Sequence, residues 1–257
     1  GMIEAMDEAI GLVLDVLQKV GVADNTIVCF TSDNGGVSSG DSFASSMLPL
    51  RGGKGRQWEG GLRVPYYIQA PGLVEAGSNC DLAVSGIDFY PTLLELADIP
   101  IPTKQVIDGE SLVSVLRDED SSSLKNRDLF WHYPHYGNQG GEPSSVIRSR
   151  NWKLIHYYED RRDELYDLSV DQGEQNDLAD LYTDKTMQMS QRLNEWLRLN
   201  RARLPESDPE YRLEKEKDRL SQLEHEFMPQ LESQHAQYLD ANWQPNADWW
   251  GSLTTID

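Results

Sequence analysis

The chain has little cysteine, no long apolar run and a deficit of positive charge, and each shortage excludes a class of protein. Among its 257 residues are two cysteines, Cys29 and Cys80, which cannot form a disulfide framework and do not belong to a CxxC pair. No run of about 18 apolar residues occurs, so no segment is predicted to span a membrane. Lys and Arg number 23 against 43 Asp and Glu, and the net charge of −20 argues against a general nucleic-acid binder.

The remaining composition is that of a folded protein, and the first residues suggest a piece of a longer one. A hydrophobic content of 39% with 26% charged residues suits one large domain or two small ones. Gly1 before Met2 resembles the scar of a cleaved tag. Apolar residues then follow helical spacing from Ile3 to Val20, with no N-cap residue and no signal peptide before them. We therefore expect the chain to open within, or one turn before, an amphipathic helix of a longer protein.

The first half of the chain has an α/β pattern. After the helix come a short apolar strand at 26–31, a polar and glycine-rich loop, a second strand at 62–70 and a helix at 88–97. This order of elements predicts an α/β fold with a parallel or mixed sheet.

The second half changes character twice. Short aromatic or β-branched segments broken by turn residues predict a small antiparallel sheet, and they lie at 129–133, 145–148, 152–158 and 164–168. Beyond residue 184 the pattern is helical, with Met189, Leu193, Trp196 and Leu197 on one face. A second helix carries Leu213, Leu220, Phe227 and Leu231, and the aromatic tail at 243–250 is expected to dock on the domain. We predict three parts, at 1–125, 126–183 and 184–257.

Asp33 and Asn34 are the first candidate site residues. They stand where the apolar strand at 26–31 ends in glycine, and ligands of α/β sheets bind at the carboxyl ends of strands. A carboxylate beside an amide oxygen supplies the hard oxygen ligands that calcium or magnesium takes. The residues alone leave a second interpretation open, which is a plain Asn-Gly turn.

Lys54 is the second candidate. It lies between glycines and is flanked by Arg51 and Arg56 in an otherwise strongly acidic chain. Glycines let the backbone approach a ligand closely, and a cation there can neutralise an oxyanion. The order of residues is not that of a Walker loop, and a solvated basic loop is the competing interpretation.

His132 and His135 form the densest histidine cluster in the chain. They could act as ligands, proton shuttles or sugar-contacting groups. Because they are three residues apart across Pro134, they do not share a helix face, and metal binding by this pair alone is weakly indicated.

An ordered set of motifs resembles the sulfatase family, of the arylsulfatase or N-acetylgalactosamine-6-sulfatase kind. The motifs are TSDNGG at 31–36, RGGKG at 51–55, WEGGLRVP at 58–65, IDFYPTLL at 87–94, IR at 147–148, WKLI at 152–155 and ELYDL at 164–168. Each is weak alone, but together they keep the family's order. The resemblance implies the C-terminal part of an alkaline-phosphatase-like sulfatase α/β domain, followed by a small antiparallel subdomain and a helical extension.

The resemblance also implies a reaction and a site. Sulfatases hydrolyse sulfate esters with a calcium ion and a formylglycine nucleophile, which is made from a cysteine or serine in C/S-x-P-x-R. Asp33 and Asn34 match two of the family's calcium ligands, and Lys54 matches a sulfate-binding lysine. Arg51, Arg56, His132 and His135 are predicted to contact substrate, which we expect to be a sulfated small molecule or carbohydrate.

The departures from the family matter as much. No cysteine or serine of this chain stands in C/S-x-P-x-R, and the family's paired aspartates near its N-terminus have no match here. We therefore expect an incomplete calcium site and a chain that is inactive alone. The resemblance to sulfatases implies export or a periplasmic location.

Two alternatives stay open. The first is a phosphodiesterase or phosphonate hydrolase of the same superfamily. The second is a non-catalytic half-domain that binds a partner, or forms a homo-oligomer, through the face that a split sheet leaves exposed.

Overall fold

The structure is a computed structural model that describes residues 1–37, 45–117, 121–137, 141–227, 229–230, 233, 236–237 and 240–242. Its helices are α1 (Met2–Lys19), α2 (Glu59–Leu62), α3 (Phe89–Leu96), α4 (Val113–Leu116), α5 (Ser122–Asn126), α6 (Thr183–Leu199) and α7 (Leu213–Gln222). Its strands are β1 (Val28–Thr31), β2 (Tyr66–Gln69), β3 (Asp128–Tyr133), β4 (Ser144–Ser149), β5 (Trp152–Tyr157) and β6 (Asp163–Asp167). Short 3-10 turns lie at Ala23–Asn25 and Gly86–Asp88, and a π-helical turn lies at Leu223–Phe227.

The first sheet consists of two strands in the part of the chain that the structure describes. β1 and β2 pair in antiparallel fashion, with Val28 opposite Gln69 and Thr31 opposite Tyr66, which excludes an all-parallel sheet and leaves the mixed sheet of the prediction open. The described part of the connection between them holds one turn of helix, α2, and parallel strands need a longer helical crossover. The second strand begins at Tyr66 and not at residue 62, because Leu62 belongs to α2.

The second sheet confirms the predicted antiparallel unit. Its four strands follow the order β3-β4-β5-β6, and each neighbouring pair is antiparallel. Side chains alternate between its two faces, as the pleat requires. Both faces are covered, so the centre of β4 and β5 is buried on both sides.

One face of this sheet packs on α6. Ile147, Leu154 and Leu165 meet three buried residues of the helix, which are Met189, Leu193 and Leu197. The predicted apolar face of this helix is therefore confirmed. Trp196 completes it by stacking on Phe130 of β3, with ring centroids 4.8 Å apart and planes 4° from parallel.

The other face receives the glycine-rich segment of the first half. Val146, Ile155 and Tyr157 form a second buried cluster on this face, together with Tyr166 and Leu168. Trp58, which directly precedes α2, packs against this cluster. The small sheet therefore supports the loop that carries Lys54.

The ends of the chain are less enclosed. α7 has no buried residue, which agrees with a surface helix, whereas Leu231 and the tail at 243–250 lie outside the described residues. Several apolar side chains of α1 are exposed, among them Ile3 and Leu12. Within the described part of the chain, no helix is long and apolar enough to cross a membrane.

Candidate active site

The segment that follows β1 is held by a close backbone contact. The Gly35 N–H donates to the carbonyl of Gly61 at 3.0 Å. A Cβ at Gly35 would lie 1.7 Å from the Gly60 carbonyl oxygen, so only glycine fits at this position. The Ser32 hydroxyl also donates to the Asn34 carbonyl at 2.9 Å, which closes the turn beside Asp33.

The glycine-rich segment folds onto this turn. The Lys54 N–H donates to the Gly36 carbonyl at 2.9 Å. Gly52 and Gly55 have φ values of 74° and 80°, which are left-handed conformations that favour glycine. Two candidate elements that are 20 residues apart, Asn34 and Lys54, are thus joined through adjacent backbone hydrogen bonds.

The side chains at this junction remain accessible. Asp33 is exposed, whereas Asn34 and Lys54 are half-buried. Among the described residues, no group of three or more His, Cys, Asp or Glu side chains could hold a metal ion. The junction carries one carboxylate, one amide and one ammonium, on Asp33, Asn34 and Lys54.

The two arginines that flank Lys54 have internal contacts. The Arg51 guanidinium lies 3.8 Å from the Trp58 ring centroid and donates to the Glu174 carbonyl at 2.8 Å and to the Tyr166 hydroxyl at 3.2 Å. Arg56 is half-buried, and burial lowers the pKa of its guanidinium. These contacts show that Arg51 attaches the loop to the small sheet.

The two histidines have different surroundings. His132 Nδ1 lies 2.7 Å from Ser145 Oγ, and its Nε2 lies 2.8 Å from the Arg203 carbonyl, so both ring nitrogens have partners. His135 is exposed, and its ring meets Tyr133 edge-on at 5.5 Å. Gly141 lies against the glycine-rich segment, because a Cβ at this position would be 2.0 Å from the Gly55 carbonyl oxygen.

Two family models match the sequence. Residues 54–203 match the model described as N-sulphoglucosamine sulphohydrolase, C-terminal, and residues 1–99 match the model described as sulfatase. The chain belongs to the sulfatase family. The fold is accordingly that of the alkaline-phosphatase-like α/β class, as the resemblance implied.

This sulfatase chain spans less than half the length of the relatives and solved structures that it matches. A sulfatase of Formosa agariphila is 38% identical in an alignment of 221 residues that covers 78% of this chain and 39% of that protein. An N-acetylglucosamine-6-O-sulfatase of Bacteroides thetaiotaomicron is 32% identical over 74% of this chain and 33% of its own length. The solved structure of BT4656 in complex with its substrate D-glucosamine-2-N,6-O-disulfate is 29% identical, with a TM-score of 0.62 over 76% of this chain and 39% of that one.

The structure of this sulfatase chain adds an ion cluster that the sequence analysis missed. The Lys153 ammonium lies 3.1 Å from Glu59 Oε1 and 2.8 Å from Glu174 Oε1, and it is fully buried. Glu174 Oε2 accepts the Glu59 backbone N–H at 2.6 Å, and Arg148 contacts Glu59 Oε2 at 3.1 Å. The strand pattern was the signal in the sequence that could have indicated a buried lysine. Alternate residues of a strand point to the same face, so Lys153 lies on the same face of β5 as the buried Ile155 and Tyr157.

Burial sets the protonation behaviour around this cluster. It raises the pKa of Glu174, although the Lys153 charge acts in the opposite direction. Burial also raises the pKa of Tyr157 and Tyr166, so both phenols stay neutral donors. Each donates to Glu164 Oε2, at 3.0 and 2.9 Å, and the Trp58 indole N–H donates there at 3.3 Å.

The IDFYPTLL motif has a structural role here. Asp88 is fully buried and forms a bidentate pair with Arg127. Its carboxylate also accepts the backbone N–H groups of Ser85 at 2.8 Å and Glu110 at 3.0 Å. This acid connects the start of α3 to the segments on either side of it.

Proposed function

We propose that this chain is part of a sulfatase that hydrolyses a sulfate ester of a carbohydrate to the alcohol and inorganic sulfate. The observation that carries the proposal is the pair of backbone bonds, Gly35 to Gly61 and Lys54 to Gly36. They join the candidate cation ligands to the candidate sulfate-binding lysine. The carbohydrate class is supported by two relatives, whose names specify N-acetylglucosamine-6-O-sulfate hydrolysis and a glucosamine disulfate substrate.

Lys54 has the principal role among the residues of this chain. Its ammonium would lie against the sulfate oxygens and stabilise negative charge as the ester bond breaks. The loop geometry favours this role, since Gly53 and Gly55 leave the backbone on both sides free of side chains. A local cation is also needed because the chain as a whole carries a charge of −20, which repels a sulfated substrate.

Asp33 and Asn34 fit a calcium ion by their donor chemistry, and they would form part of its site. Both offer oxygen, and their turn is fixed by the Gly35 contact. Calcium takes six to eight oxygen ligands, so two residues form a fraction of a site and predict weak binding by this chain alone. When bound, the ion would supply positive charge next to the sulfate group.

The nucleophile belongs to a part of the family pattern that this sequence does not contain. We propose that a formylglycine outside this chain supplies it, so the isolated chain should show no calcium-dependent sulfatase activity. The assay compares aryl and glucosamine 6-O-sulfates with phosphate mono- and diesters, with and without calcium. A robust calcium-dependent rate on a sulfate ester would contradict the proposed inactivity, and turnover of phosphate esters alone would favour the phosphodiesterase alternative.

The assignment of Lys54 needs a longer protein. We would sequence the source DNA upstream of the Met2 codon for a reading frame with C/S-x-P-x-R and paired aspartates. In the resulting protein, Lys54→Met should lower kcat/KM on a sulfate ester by at least about a hundredfold, the usual loss when one charge-stabilising group is removed. The matched control is Lys104→Met, an exposed lysine, which should leave the rate unchanged. Equal rates in both variants would remove Lys54 from the site.

A second function, association, is favoured by the surface of α1. Ile3, Leu12, Val13 and Val20 are 80%, 66%, 61% and 63% exposed. Large exposed apolar patches often mark interaction sites, and these side chains are candidates for burial against a partner. We propose that the rest of a sulfatase α/β domain covers this surface of α1. In the isolated chain at high concentration, a second copy should cover it instead, which gives a homo-oligomer. Sedimentation velocity tests this, since a monomer at all concentrations that also fails to bind a hydrophobic dye would contradict it.

A further inference from the structure

A cluster of basic side chains surrounds a pocket outside the glycine-rich segment. The pocket has a volume of about 150 Å³ and lies between the segment 81–83, the end of α5 and the turn that joins β4 to β5. Lys125, Arg127, Arg148 and Arg150 line it, with Asp81 as the acidic residue among the described lining residues. Four cations on one pocket are unexpected in a chain with a net charge of −20.

Two of these cations are already neutralised and two are not. Arg127 is paired with Asp88, and Arg148 is paired with Glu59. Within the described ranges, no carboxylate forms an ion pair with Lys125 or Arg150; both residues are exposed. The pocket therefore retains positive charge from Lys125 and Arg150.

The arginines of the pocket are positioned by the fold. Arg150 has a φ of 54° in the turn between β4 and β5, and its guanidinium donates to the side-chain oxygen of Asn126 in α5. The Arg148 Nε donates to the Arg150 carbonyl at 3.2 Å. The Arg127 Nε is buried and has no hydrogen-bond partner among the described residues, although such donors are usually satisfied.

We propose that this pocket binds a tetrahedral oxyanion, either free sulfate or phosphate or a sulfate group carried by a sugar. Guanidinium groups present paired donors that match the oxygen atoms of such anions, and hydrogen bonds between charged groups are stronger than neutral ones. The proposal concerns a second site and does not depend on the catalytic role of Lys54.

The test titrates the full chain with sodium sulfate at constant ionic strength, and follows arginine side-chain signals by NMR. We expect saturable shifts of the arginine Nε signals. The double variant Arg150→Gln/Lys125→Gln removes both cations that lack an ion-pair partner among the described residues. It should weaken sulfate binding by at least about tenfold. Arg161→Gln is the matched control, because Arg161 is also exposed and has a φ of 61°. It should leave the affinity unchanged.

Further arms separate this site from the candidate active site and distinguish the sources of the anion. Lys54→Met should retain sulfate binding at the pocket, since Lys54 does not line it. If the pocket accepts a sugar-bound sulfate group, glucosamine 6-O-sulfate should compete with sulfate for it. Competition by phosphate but not by glucosamine 6-O-sulfate would identify a site for free anions. Glucosamine without sulfate should not compete. Unchanged sulfate affinity in the Arg150 and Lys125 double variant, or loss of binding in Lys54→Met, would refute the proposal.

Discussion

The buried cluster around Lys153 gives a quantitative test of how the small sheet holds the glycine-rich segment. The substitution Lys153→Met keeps much of the volume of the lysine side chain and removes its charge. Two carboxylates then lose their shared partner, since the Lys153 ammonium lies 3.1 Å from Glu59 and 2.8 Å from Glu174. Glu59 keeps its contact with Arg148, and Glu174 keeps the hydrogen bond from the Glu59 backbone.

The magnitude follows from burial. Breaking a buried ion pair by removal of one partner costs about 3–5 kcal/mol, and Lys153 and Glu174 are both fully buried. We therefore expect Lys153→Met to lower the free energy of unfolding by about 4 kcal/mol at pH 7. A domain is typically stable by only about 5–15 kcal/mol, so the variant should be marginally folded.

The pH dependence of this loss has a defined sign. In the folded state the pKa of Glu174 lies above its ordinary value of 4.5. The contribution of this carboxyl group to stability is therefore fully present below pH 4.5 and is lost as the pH rises through the folded-state pKa. Without Lys153 the pKa rises further, because the charge that opposed the effect of burial is gone. The destabilisation by Lys153→Met should therefore shrink as the pH falls from 7 towards 4.5.

Urea unfolding monitored by tryptophan fluorescence measures these differences, since Trp58 lies at the affected interface. Lys104→Met is the control at an exposed site and should change stability by less than about 0.5 kcal/mol. Adding Glu174→Gln to Lys153→Met should recover part of the loss, because one unpaired buried charge is removed. A loss below about 1 kcal/mol in Lys153→Met, or no recovery at lower pH, would refute the reasoning from burial.

Three further predictions follow from packing and exposure. Gly35→Ala should destabilise the chain by about 1–3 kcal/mol in urea unfolding, because a Cβ would meet a backbone oxygen at 1.7 Å, whereas Gly86→Ala has open space around it and should be neutral. Leu193→Ala should cost about 2–5 kcal/mol in the same assay, since this side chain is 1% exposed between α6 and the sheet; a smaller loss would mean that α6 is loosely packed. A thiol reagent should modify exposed Cys80 well before Cys29, whose pKa is raised by burial, and equal rates would contradict this difference.

Local patterns in the sequence were sufficient for the elements of the second half. The aromatic and β-branched residues in 145–148 and 152–158 predicted β4 and β5, and the apolar spacing from Met189 to Leu197 predicted the buried face of α6. The ordered set of motifs from 31–36 to 164–168 was also sufficient for the family, because glycines and charged residues at strand ends are visible without knowledge of the fold. The residue roles at this site stay predictions.

Contacts between distant segments required the tertiary structure. Strand direction in the first sheet depends on how residues 32–65 return the chain, and composition does not encode that path. The sequence shows the charge of Arg51 and its neighbouring glycines, but not its contacts with Trp58, Tyr166 and Glu174, and its contact with substrate stays a prediction. The Lys153 cluster likewise joins residues about 100 positions apart, and only folding brings their charges within hydrogen-bond range. Sequence therefore determined the elements and the family, whereas the fold decided which charges support the structure and which remain free to bind.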